Sequence, residues 1–306
     1  MQVKSRVNCL RFMHRTLGPT TIIVWFISLL LSCTAIIVNA AFYHYQGNNY
    51  LPPQNSILVI LLCLMLLGSY LQFGRQHRMF YFFLELIILY HVMLTVSLMS
   101  TAAQYCPFPT IDKYIITFES WFNFNITNVV SWTAEHQVFK DWLCIVYSSI
   151  SLQLACLPIL CIALQHWRRI HAYYFLFLLS AIIGFSIYYF FPTTAPASNM
   201  NSPFFFANQY ATGLKFKQIH DHLPVTIMQG GLVALPSFHV IWALLCVYLV
   251  KDIKILFIPI LIVNTLMICS CVLLGWHYIS DVIGGFVIVF ITYMIYKKIC
   301  IFQKVL

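Results

Sequence analysis

Eight apolar runs, each close to the ~20 residues that carry an α-helix across a bilayer, leave this chain little choice of architecture. They read as Thr20–Tyr43, Ser56–Phe73, Met79–Ser100, Trp142–Leu164, Ala172–Phe191, Pro236–Val250, Ile255–Gly275 and Tyr278–Tyr296. Each must be helical, because hydrocarbon offers no water to an unpaired backbone group. The sixth run is short and is expected to begin a few residues before Pro236. The chain is 61% hydrophobic and 8% charged. A soluble domain carries about 25% charged residues, so no soluble domain is left over. The expectation is an all-α, polytopic integral membrane protein with two N-terminal helices over 1–78 and a six-helix core over 79–306. The core includes outer loops 101–141 and 192–235.

The net charge of +9 does not point to nucleic acid, because the basic residues cluster between apolar runs. With the N-terminus inside, thirteen lysines and arginines fall on the cytoplasmic side, among them Arg168, Arg169, Lys251 and Lys297. Only Lys113, Lys140, Lys215 and Lys217 fall outside. That bias predicts cytoplasmic termini. The basic N-terminus precedes an apolar run too long for a signal peptide. LLSC at Leu30 to Cys33 loosely resembles a lipoprotein cleavage box, but the run continues past it. Of the eleven cysteines most lie inside spans, Cys106 stands out in an outer loop, and no disulfide framework is implied.

The loop Tyr105–Asp141 interleaves acids and aromatics, including Asp112, Glu119, Trp121 and Trp132, as interfacial amphipathic helices do. Asn125-Ile126-Thr127 fits a glycosylation sequon. A second outer loop begins FPTTAPA, whose prolines forbid a continuous helix. It passes Lys215, Lys217, the cluster His220-Asp221-His222 and Gly230-Gly231, then enters PSFH at Pro236 to His239. If Pro236 takes the first position of a helix, Ser237 and His239 fall in its first turn beside unpaired N–H groups, a setting suited to a phosphate. The second motif is HYISD. His277 and Asp281 are four apart and share a helix face. A carboxylate on one ring nitrogen fixes the tautomer and makes the other nitrogen more basic, as a histidine nucleophile or base requires. The bland alternatives are a helix-capping serine, an interfacial histidine and a satisfied interhelical pair.

Taken together the motifs resemble the type 2 phosphatidic acid phosphatase superfamily, with its PSGH and its serine-arginine, five residues, histidine, three residues, aspartate. Here the second element reads Ser270-Cys271-VLLGW-His277-YIS-Asp281. The resemblance implies a six-helix catalytic bundle that needs no metal or other cofactor. It implies His277 as the nucleophile forming a phosphohistidine, Asp281 as its orienter, His239 as the proton donor and Ser237 as a phosphate ligand. The glycine of PSGH is Phe238, the arginine is Cys271, and the basic first motif is absent. These departures resemble the branch containing fungal inositol phosphorylceramide synthase, with similarity running from about Pro109 to Gly285. The expectation is a membrane-embedded lipid phosphotransferase or phosphatase. Its partners would be a lipid phosphoester and a hydroxyl acceptor, with Lys215 or Lys217 restoring charge at the phosphate. Losing an arginine fork hurts a dianionic monoester more than a monoanionic diester. The alternatives are a phosphatase for phosphatidic-acid-type or polyprenyl phosphates, a zinc site drawing on His239, His277, Asp281 and His220 or His222, and a transporter or scaffold. For the last, Glu85 and His91 are the intramembrane candidates, with Glu85 snorkelling.

Overall fold

The computed structural model describes residues 17–44, 54–226 and 233–305, and every long element among them is an α-helix. The basic residues Lys4, Arg6, Arg11 and Arg15 and the pair Gly230-Gly231 lie outside the described residues. Helices α1 (Pro19–Tyr43), α2 (Gln54–Phe73) and α3 (Arg78–Gln104) come first. Two short helices follow, α4 (Asp112–Ser120) and α5 (Ile126–Glu135), where interfacial helices were expected. Then come α6 (Gln137–Ala163), α7 (Trp167–Phe190), α8 (Ala207–His220), α9 (Phe238–Val250), α10 (Lys254–Leu273) and α11 (Ile279–Val305). Asn125 caps α5, its Oδ1 accepting from the Thr127 N–H at 2.9 Å and hydroxyl at 2.6 Å, so the sequon has a helix-starting role. The LLSC stretch lies within α1.

Among the described residues seven helices are long and apolar enough to span a membrane. The sixth of the eight apolar runs is the exception. Helix α9 has 13 residues, about 20 Å of rise against a hydrocarbon core of about 30 Å. It does not begin early, as the sequence reading expected. Residues 233–237 precede it without helix, and Ser237 rather than Pro236 starts it, as the N-cap. The outward faces are apolar, as at Phe26 and Leu71, with polar pairs turned inward. Trp25 Nε1 donates to Thr95 Oγ1 at 2.7 Å, and Asn264 Nδ2 donates to Gln153 Oε1 at 2.8 Å. Glu85 does not snorkel. It is buried on α3 and paired with His171 of α7 at 2.7 Å. An intramembrane carboxylate is tolerated only with such a partner.

Helix α9 sits at the centre, against α6, α7, α10 and α11. Arg169 at the start of α7 pairs with Asp252 just past α9, which levels the two helices at that end. At the other end Phe185 of α7 stacks on Phe238 of α9, centroids 4.1 Å apart. Helix α7 then continues five residues to Phe190, a rise of about 8 Å. The start of α9 is therefore inset, and the outer-loop residues Ala195, Thr212, Val233 and Ala234 line one cavity with Phe238 and His239. Gly285 of α11 permits the close approach on its far side. A Cβ there would lie 2.9 Å from the Ser237 carbonyl oxygen and 2.9 Å from Val240 Cβ.

Candidate active site

Helix α10 stops at a left-handed residue, Gly275, with φ +75°. A Cβ at that position would meet Phe205 at 2.5 Å, so glycine answers both the conformation and the space. The turn brings the N–H groups of Trp276 and His277 onto the Cys271 carbonyl at 3.0 and 2.9 Å. One oxygen of Asp281, Oδ2, then accepts the Tyr278 N–H at 3.0 Å and lies 3.2 Å from His277 Nδ1. The carboxylate thus reaches back to cap α11 while it fixes the ring. Its main chain makes the second link, because the Asp281 carbonyl accepts the Ser237 N–H at 3.0 Å. One residue ties the two motifs together.

The rings of His239 and His277 lie edge to face with centroids 5.6 Å apart. Tyr147 of α6 stacks on His239 at 4.4 Å and on Trp276 at 5.3 Å, and its hydroxyl lies 3.5 Å from His239 Nδ1. These groups share a cavity of about 260 Å³ whose walls include Ser100, Phe185, Ala195 and Thr212. His277 is buried, and desolvation pulls its pKa down to about 4, partly opposed by the Ala234 backbone. At neutral pH it is an uncharged imidazole. With Nδ1 turned to the carboxylate, Nε2 is the nitrogen left for chemistry.

The other expected residues are placed differently. Ser237 is fully buried, with its Oγ 3.5 Å from the Val240 N–H as a helix cap and its side chain against Cys271. It lies behind the cavity wall instead of on it. Lys215 is buried on α8 in a neighbouring crevice with Thr194 and Thr212, and burial lowers its pKa. Thr212, one turn before it, belongs to both spaces. Lys217 is exposed. Residues two apart on a helix point about 200° apart, so the two lysines cannot serve one site. Among the described residues no lysine or arginine lines the His239–His277 cavity. His220 and His222 line a separate cavity with Cys106, and among the described residues no three His, Cys, Asp or Glu are grouped to hold a metal ion. His220 is not a plain loop residue, since it ends α8 and stacks on Phe216 at 4.1 Å.

Two carboxylates beside the site carried no assigned role in the sequence reading. Glu119 Oε1 accepts from the Ser280 N–H at 2.8 Å and the Ser280 hydroxyl at 2.9 Å, holding the first turn of α11. Asp112 is buried, accepts the Thr194 N–H at 3.0 and 3.1 Å, and touches the Tyr278 hydroxyl. Desolvation raises both, Asp112 to about 6. They are seven apart on α4, two turns along one face. Thr193 Oγ1 accepts the Leu235 N–H at 2.7 Å, so FPTTAPA holds both the chain entering PSFH and the Asp112 network. Tyr147 was also missed, being one aromatic among many in an apolar span.

A family model described as the PAP2 superfamily matches residues 113–295, more than half of the chain. The chain belongs to the PAP2 superfamily. No curated protein and no solved structure matches it. The matched segment contains both motifs and runs from α4 into α11, and α1 to α3 lie before it. Membership in the PAP2 superfamily supports a phosphatase- or phosphotransferase-type activity on lipid phosphoesters.

Proposed function

We propose that this protein is a lipid phosphotransferase resembling inositol phosphorylceramide synthase, with His277 as its nucleophile. The observation that carries the reading is the meeting of two imidazoles from separate motifs, 5.6 Å apart, with a carboxylate on Nδ1 of only one of them. Nε2 of His277 attacks phosphorus, and the phosphorus–oxygen bond to the leaving group breaks. His239 gives its proton to the departing oxygen. The resulting phosphoimidazolium is held by Asp281. An acceptor hydroxyl then attacks phosphorus, returns a proton to His239 and frees His277. Water as acceptor gives hydrolysis, and an alcohol gives transfer. Asp281 orients the ring, Tyr147 positions His239, and Glu119 and Asp112 brace the turn that carries His277.

A phosphodiester substrate fits the cavity better than a monoester. Phosphoryl transfer depends on cations matched to the phosphate charge. With two histidines and no lysine or arginine among the described lining residues, the cavity suits one negative charge better than two. The inset start of α9, flanked by Ala195, Thr212, Val233 and Ala234, limits water and favours an alcohol acceptor. On the lysine–arginine bias the site belongs on the outer side of the membrane. The test is purified protein incubated with a labelled phospholipid panel, with and without alcohol acceptors. Label should move to the acceptor and stop moving in His277→Ala. Label released only as inorganic phosphate would make the enzyme a phosphatase, and turnover by His277→Ala would remove the nucleophile assignment.

A further inference from the structure

The other end of the bundle carries a larger cavity. It encloses about 850 Å³ between the α6–α7 turn, the end of α9 and the last turns of α11. Arg168, Arg169, Lys251 and Lys297 line it, against one carboxylate, Asp252, among the described lining residues. It is no extension of the His239 pocket. His239 stands in the first turn of α9 and Lys251 follows its far end, about 18 Å away at 1.5 Å per residue.

Positive charge alone at this end would follow from membrane orientation. The arrangement asks for more. The cations come from three segments distant in sequence and converge on one concavity. Aromatic rings hold three of them. Arg169 and Lys251 each lie 4.9 Å from the centroid of Tyr248, and Lys297 lies 5.0 Å from that of Tyr293. Such contacts draw long side chains toward the cavity instead of leaving them spread in water. Arg169 is matched by Asp252. Arg168, Lys251 and Lys297 then face a space with no second carboxylate among its described lining. Gathering like charges is unfavourable unless an anion joins them. Trp167, Tyr248, Tyr293 and Tyr296 also line the cavity. Tryptophan and tyrosine gather at the depth of lipid headgroups.

We infer that this cavity binds the phosphate-bearing headgroup of an anionic phospholipid. Arg168 offers a planar fork to phosphate, and the lysines act as point charges. The site is independent of the role given to His277.

The test uses the full chain in an uncharged detergent, titrated with short-chain phosphatidylglycerol or phosphatidylcholine and read by native mass spectrometry. Phosphatidylglycerol should bind more tightly than phosphatidylcholine. In Lys251→Gln/Lys297→Gln its affinity should fall about 30-fold, the equivalent of about 2 kcal/mol for two lysines near an anionic surface. Binding at the other cavity is common to both proteins and cancels. Both lysines are exposed, so the exchange leaves packing intact. Should the double variant aggregate, Arg168→Gln alone should weaken binding about 5-fold. Equal affinity for the two lipids, or no change in the variants, would overturn the proposal. Displacement by inorganic phosphate at concentrations matching the lipid's would overturn the lipid assignment in favour of a free-phosphate site.

Discussion

Acidification should destabilise this protein, and His277 should carry a measurable share of the loss. Burial holds His277 at a pKa of about 4 in the folded chain, against about 6.5 for a solvated histidine in the unfolded chain. The unfolded state therefore binds a proton that the folded state refuses. Above pH ~6.5 both states are neutral and the group contributes no pH dependence. As pH falls from 6.5 toward 4 the unfolded state gains one proton, and stability is lost at about 1.4 kcal/mol per pH unit. Across that window the loss reaches roughly 3 kcal/mol, and below pH 4 it levels off. The assay is thermal unfolding of purified protein in detergent at intervals between pH 7 and pH 4, for wild type and His277→Gln. The difference between the two isolates this ring from other titrating groups. Wild type should lose on the order of 6 °C more than the variant over the window. Parallel curves for the two proteins would refute the argument that His277 is kept neutral by burial. The proposed chemistry makes a matching demand, since a nucleophile must be unprotonated. Turnover should persist below pH 6.5 and fall with a midpoint near 4.

Five substitutions at three positions probe the supports of the site. Gly285→Leu places a side chain where a Cβ alone lies 2.9 Å from the Ser237 carbonyl oxygen; it should cost about 1–3 kcal/mol of stability and disperse the protein on size-exclusion chromatography. Glu119→Ala removes both acceptor contacts to Ser280 and should lower kcat about 10-fold and the melting temperature with it, while Glu119→Gln, which keeps an acceptor oxygen, should recover most of both. Tyr147→Phe keeps the stack on His239 and loses only the hydroxyl 3.5 Å from Nδ1, so its rate should stay within about 5-fold of wild type, whereas Tyr147→Ala, which frees the ring, should fall much further in steady-state kinetics.

The spans were legible because hydrocarbon imposes one rule on every residue, and a run of apolar side chains satisfies it visibly. The boundary of α9 was not. It depends on Ser237, whose N–H is held by the Asp281 carbonyl from a distant segment, and no local pattern announces that bond. His239, His277 and Asp281 stood out as polar groups at the ends of apolar runs, where they are costly to keep. Ser237 stood out with them, yet burial turned it into a cap. Asp112 and Glu119 were visible only as acids in an amphipathic stretch. Their importance comes from Thr194, Tyr278 and Ser280, which reach them through tertiary contact. The basic residues near Tyr248 signalled orientation, and only the fold shows that they converge.

Helix α9 also shows how a membrane protein can place polar chemistry below its own surface. Most of its residues are buried, and four neighbouring helices surround it. A helix wrapped in protein has no obligation to match the thickness of the lipid. Its missing turns cost no hydrophobic mismatch, and on the proposed function the depth they leave is room for a headgroup drawn down from the interface. Lengthening this segment by one turn would leave the outer wall of the bundle unchanged and fill the space in which the two histidines meet.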